Sequence, residues 1–322
     1  VAAVVALTLC SGCERQSQGT ESSARIIGTC GVGPGQFGEP RAIAASPDGK
    51  LFVIDKTGRV QRFSASGQFE HSWQMPDSVP DQGQPSGLCV DHAGRVFVAD
   101  THQSRVVVFD RGGVELFRFG ERGMGPGQFM LPTDVAVDSR GFIYVAEYGG
   151  NDRISKFDPE RNYLFSFGGP ASGTGMLQRP SGLAVNADDN LWVADAGNHR
   201  VCCFSPDGEL LKSVGRLGGA AGELRYPRDL LILSDGNLVV VDSGNDRLAW
   251  FDLEGECLAC WGHAGRRAGE FNMPLNTAAT DGHLFVADSK NHRVVVSAYR
   301  SSELPQSGVV ASSAGTAHSI GD

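Results

Sequence analysis

Clustered positive charge is scarce in this 322-residue chain: 28 Lys and Arg stand against 37 Asp and Glu, for a formal net charge of −9. Neutralising a phosphate backbone takes grouped basic side chains, and no such patch stands out, so a nucleic-acid partner is not expected. Long apolar runs are missing too. The apolar stretch at residues 1–9 is too short to cross a bilayer and has the length of a secretory-signal core. Helical periodicity does not organise the chain either. The 43 glycines and the hydrophobic fraction of 41% suit a turn-dense β protein with a packed core.

What is present is a repeat of about 47 residues, in six copies between residues 31 and 297. Aligned on a proline, the copies start at Pro40, Pro85, Pro132, Pro180, Pro227 and Pro274. Each runs through an apolar strand, a polar turn and a strand ending in an acid: Asp55, Asp100, Glu147, Asp195, Asp242 or Asp288. A third strand then opens with arginine: Arg59, Arg105, Arg153, Arg200, Arg247 or Arg293. A fourth strand follows a Gly or Asp turn. This period predicts an all-β fold, a six-bladed β-propeller with four-stranded antiparallel blades. A bulky residue on most second strands (Phe52, Phe97, Tyr144, Trp192, Phe285) is expected to pack one blade on the next. The sixth copy has three strands only. Residues 26–31 read like residues 116–120, so the N-terminal segment is expected to supply the missing outer strand and close the ring.

Gly33-Pro34-Gly35-Gln36-Phe37 and Gly125-Pro126-Gly127-Gln128-Phe129 connect blades. No helix follows them, so they are read as crossovers and not as phosphate loops. These connectors, the proline and the acid-x-x-Asn-x-Arg loop resemble the NHL-repeat family over about 270 residues. That resemblance implies a six-bladed, TolB-like propeller whose members mostly bind partners, with a minority of enzymes. Shared acids, arginines and asparagines (Asn151, Asn198, Asn245, Asn291) are read as architecture.

Ser11 and Gly12 before Cys13 resemble the lipobox of bacterial lipoproteins, which implies cleavage before Cys13 and acylation there. The domains expected are a truncated lipoprotein signal (1–13), a polar tether (14–24), the propeller (25–299) and a disordered tail (300–322). The localisation expected is extracytoplasmic, in the cell envelope, with a lipid anchor as the only membrane contact. Cys257 and Cys260 form a C-x-x-C, a spacing shared by zinc and redox sites. On a regular outer strand, residues three apart point to opposite faces, so they are read, like Cys89, as small apolar fillers.

Function should lie where the copies differ. The position after each proline, expected to face the mouth of the central channel, reads Arg41, Ser86, Thr133, Ser181, Arg228 and Leu275. The next reads Ala42, Gly87, Asp134, Gly182, Asp229 and Asn276. Arg41 and Arg228 are placed on blades one and four, facing each other across the ring. With Thr133, Asp134, Asp229 and Asn276 they form a candidate polar cup for an anionic or amide-bearing ligand. Peptidyl-hydroxyglycine amidating lyases resemble this fold and place metal-binding histidines just after the proline in three blades. None of the six positions here is histidine, and a catalytic zinc needs such convergence. Asp134, Asp229 and Asn276 imitate the calcium ligands of gluconolactonase-like propellers only weakly. No catalytic residue, metal or cofactor is therefore expected. The reading is a monomeric binding propeller, a protein-partner platform or sensor. The alternatives are a small anionic-solute binder at the channel mouth, or a metal-dependent lyase or lactonase.

Overall fold

The computed structural model describes residues 24–77, 85–170, 175–280 and 282–298. Their strands form six four-stranded antiparallel sheets arranged as blades. The inner strand of each blade starts at or beside the repeated proline, as in Pro40–Ala45, Pro180–Val185, Pro227–Ile232 and Pro274–Thr280. The second strands, such as Leu51–Asp55 and Leu191–Asp195, are buried throughout. Outer strands such as Glu115–Phe119 alternate between half-buried and exposed residues, as befits a strand with one face to solvent. The calls on residues 1–13, 14–23 and 300–322, including Cys13, lie outside the described residues.

Six apolar clusters form the core, one at each blade junction. Phe52 packs in the cluster joining blades one and two, Phe97 in that of two and three, and Tyr144 in that of three and four. Trp192 and Phe285 do the same for blades four and five and for six and one. Each of these rings lies opposite a small residue of its own inner strand: Ala44, Cys89, Ala136, Ala184 and Ala278. Blade five inverts the sizes, with Val239 opposite Leu231. A large side chain on one strand needs space on its neighbour at native packing density, and Cys89 fills that role. Burial of each ring contributes roughly 1.5–3 kcal/mol.

The repeated acid and arginine pin the connectors. Asp288 accepts Nε of Arg293 at 2.7 Å and the backbone N–H of Asn272 at 2.7 Å, while Asn291 donates to it at 2.8 Å. Arg293 Nη2 donates to the carbonyls of Arg267 and Glu270, both at 2.8 Å. Blade five repeats the arrangement through Asp242, Arg247 and Asn245. The acid ends the second strand and the arginine opens the third, so one buried pair satisfies backbone groups that a sharp crossover leaves without partners. Connector side chains then seal each junction. Phe37 and Phe129 are fully buried, and a Cβ on Gly28 or Gly120 would lie 2.3 Å from them.

The ring closes through the N-terminal strand. Arg25–Ile27 pairs antiparallel with the third strand of blade six, Arg25 opposite Val296 and Ile27 opposite Val294. Sequence reasoning on the outer strands needs one correction. In blades one to five a bulge interrupts the pairing of the third and fourth strands. In blade five, Cys257 lies opposite Phe251 and Cys260 opposite Ala249, with Leu258 inserted. Phe251 and Ala249 are two residues apart, so the extra residue returns both cysteines to one face.

Candidate functional site

The mouth of the channel is built by the first residues of the inner strands and by the loops between second and third strands. After the proline, blades two to four use hydroxyls to tie each blade to the next. Ser86 donates to the carbonyl of Thr133 at 2.8 Å, Thr133 to that of Pro180 at 2.9 Å, and Ser181 to that of Pro227 at 3.1 Å. The other half of the ring carries Arg228, Leu275 and Arg41 instead. Arg228 follows Pro227 and therefore belongs to blade five. The two arginines do not face each other across the ring as the sequence reading had them: they flank blade six on one side of the mouth.

The next position also works between blades. Asp134 accepts the backbone N–H of Leu183 at 2.8 Å, Asp229 that of Thr277 at 2.7 Å, and Asn276 that of Ile43 at 2.8 Å. Gly87 and Gly182, on the preceding blades, make room for the two acids. A Cβ at either would lie within 2.5 Å of the aspartate's atoms. Burial raises the carboxyls of both Asp134 and Asp229 above the ordinary range, and the charge of Asp229 raises Asp134 further. Asp134 and Asn276 border the cavity, whereas Asp229 is absent from its wall.

That cavity has a volume of about 100 Å³, with Arg41, Arg228, Tyr148, His102 and Thr133 in its wall. Burial lowers the proton affinity of both guanidiniums, and at Arg41 the charge of Glu39 opposes that fall. Arg228 is lowered further by Arg41 and Arg179, so three cations gather on this side. The Arg228 guanidinium makes no hydrogen bond or ion pair with a described residue. Lys290, towards the rim, is paired with Glu39 at 3.1 Å. Sequence reasoning missed Arg179, whose guanidinium lies 5.7 Å from the Tyr148 ring centre. The position before the proline was the signal: in blades one, four, five and six it holds Glu39, Arg179, Tyr226 and Met273, all with positive φ.

Those pre-proline residues explain two histidines. The N–H of Glu39 is accepted by His292 Nδ1, that of Tyr226 by His199 Nδ1, and those of Arg179 and Met273 by Asp152 and Asp246. His199 and His292 therefore act as acceptors between blades. Among the described residues, no three His, Cys, Asp or Glu side chains converge to hold a metal.

The profile of the NHL repeat matches residues 177–204 and 271–296, and that of a 6-bladed beta-propeller family matches residues 81–164. Human NHL-repeat-containing protein 4 is 32% identical over 129 residues, which cover 39% of this chain and 88% of that protein. Human NHL repeat-containing protein 3 is 33% identical over 79 residues, but only 22% of its length is spanned. A probable peptidyl-alpha-hydroxyglycine alpha-amidating lyase of Caenorhabditis elegans is 39% identical over 83 residues, 24% of this chain and 23% of that one. Among solved structures, a gluconolactonase from Xanthomonas campestris superposes with a TM-score of 0.64 at 16% identity, covering 88% of this chain and 90% of that one. A streptogramin B lyase does so at 0.62 and 15%, covering 85% and 97%.

Proposed function

The chain belongs to the NHL-repeat family, and on that premise we propose that it is a binding propeller whose channel mouth takes an acidic group of a protein partner. The observation that carries this reading is the Arg228 guanidinium, half-buried beside Arg41 and Tyr148 and ion-paired to no carboxylate among the described residues. A cation that has lost part of its hydration gains most from a charge-assisted, two-pronged contact with a carboxylate or phosphate. Size supports a protein partner over a free solute. A cavity of about 100 Å³ holds one such group, whereas small-molecule sites run to about 300–1,000 Å³. The remaining contacts would come from the loops around the mouth, which differ from blade to blade at Lys56, His102, Tyr148, His199 and Lys290. The lyase and lactonase neighbours, at 15–16% identity, carry the fold alone.

We also place the propeller outside the cytoplasm, held to a membrane through acylated Cys13. Two or three acyl chains give lasting attachment where one does not. Cys13→Ser should release the protein into the soluble fraction, and a wild type found soluble in the cytoplasm overturns this part.

Calorimetry with inorganic phosphate and acetate tests the mouth. Arg228→Ala and Arg41→Ala should each weaken phosphate binding by about 2 kcal/mol or more, and Lys290→Ala by under about 1. No binding to the wild type, or equal losses for all three variants, overturns the proposal.

A further inference from the structure

A second chemical site lies on the outer edge of blade five, away from the mouth. The bulge at Leu258 puts Cys257 and Cys260 on one face of the outer strand Cys257–Trp261. Two other blades show that residues so placed touch. In blade two the equivalent pair, Glu115 and Arg118, forms an ion pair at 2.6 Å. In blade three, the Tyr163 hydroxyl donates to Ser166 at 3.2 Å. Both cysteines are half-buried and pack against the same apolar cluster between blades four and five. The strand is the last of its sheet, so it is unpaired on one side and can tighten.

We propose that Cys257 and Cys260 are a redox-active dithiol that closes reversibly to a disulfide by exchange with a low-molecular-weight disulfide. Their partners Phe251 and Ala249 span roughly 6.7 Å along the facing strand, the upper end of the Cα separations that disulfides bridge. Closure therefore asks for a contraction of the bulge and no change of blade. Cys257 is the attacking thiol. The S–H of Cys260 hydrogen-bonds to it and, with the Gly222 backbone and the Arg247 charge, lowers it to about 7 against the rise due to burial. A thiol poised near ambient pH is the most effective attacker. The buried thiols elsewhere lack this setting: burial pushes Cys202 and Cys203 up to about 11 and raises Cys89 well above the usual thiol range.

The exchange balances in two steps. The Cys257 thiolate attacks one sulfur of the incoming disulfide, breaks its S–S bond and releases one thiolate. Cys260 then gives up its proton, and its sulfur attacks Cys257 and displaces the second thiolate. Two electrons and two protons pass to the incoming disulfide, which leaves as two thiols.

The test equilibrates the full protein across ratios of oxidised to reduced glutathione. Samples are then alkylated with a maleimide in denaturant and analysed by mass and peptide mapping. The expected result is one reversible transition in which Cys257 and Cys260 alone become protected together. Cys260→Ser should halt at a glutathione adduct on Cys257, with an unchanged unfolding midpoint to certify the fold. Protection mapping to another pair, all cysteines alkylated at every ratio, or a folded Cys260→Ser without that adduct overturns the proposal.

Discussion

Nδ1 of His292, on blade six, accepts the backbone N–H of Glu39 at 3.1 Å, at the entrance to blade one. Both residues hold positive φ, 54° and 61°. The same link recurs between other blades with Asp152 and Asp246 as acceptors. In blades four to six the position requires an acceptor on a short side chain that tolerates left-handed backbone, a property aspartate has and alanine lacks. His292→Asp should therefore keep the stability of the parent. His292→Ala should lose about 1–2 kcal/mol, from the orphaned N–H and the strained backbone. Urea denaturation of the two variants decides it, and equal stabilities refute the link.

Closure by Arg25–Ile27 makes a second expectation. Deleting residues 24–31 exposes the edge of blade six and uncovers Phe37 and its neighbours, which pack with Ile27. The ring should lose several kcal/mol, since an unpaired strand edge and its apolar face turn to water. An unchanged melting temperature would show that the seam does not close the ring.

Asp134 and Asp229 make stability depend on pH in an uncommon direction. Both carboxyls bind protons more tightly in the fold than in the unfolded chain. The native state therefore holds more protons, and this pair's contribution falls as pH rises from the ordinary carboxylate range towards neutrality. Asn276 shows that an amide oxygen can accept the same neighbouring N–H. Asp229→Asn should thus be more stable than the parent by about 1–3 kcal/mol near pH 8. The gain should shrink near pH 5, and a gain equal at both pH values would be evidence against the buried charge as its cause.

Six blades were legible because each copy repeats one hydrophobic pattern with its turns, and so was the missing strand, since Ile26 and Ile27 carry the outer-strand pattern. Contacts between copies were harder to read. Whether Asp134 points at a ligand or at Leu183 depends on how closely two sheets approach, and the period of a repeat does not encode that distance. The glycines at Gly87 and Gly182 were the available signal, each aligned one blade ahead of an aspartate. The cysteines failed for a different reason. A bulge adds one residue and inverts every inference from alternation beyond it, and nothing in Glu256 to Trp261 announces where it falls. Arg228 follows the fifth proline of the repeat, and its blade sets its neighbour: Arg41 lies beside blade six with it, not across the channel.

Because Arg25 lies opposite Val296, both ends of the described ring leave from the rim of blade six. A load on the chain ahead of Arg25 acts at the circumference, so the ring would hang by its edge and leave both openings of the channel clear. The same load falls first on three paired residues, Arg25, Ile26 and Ile27.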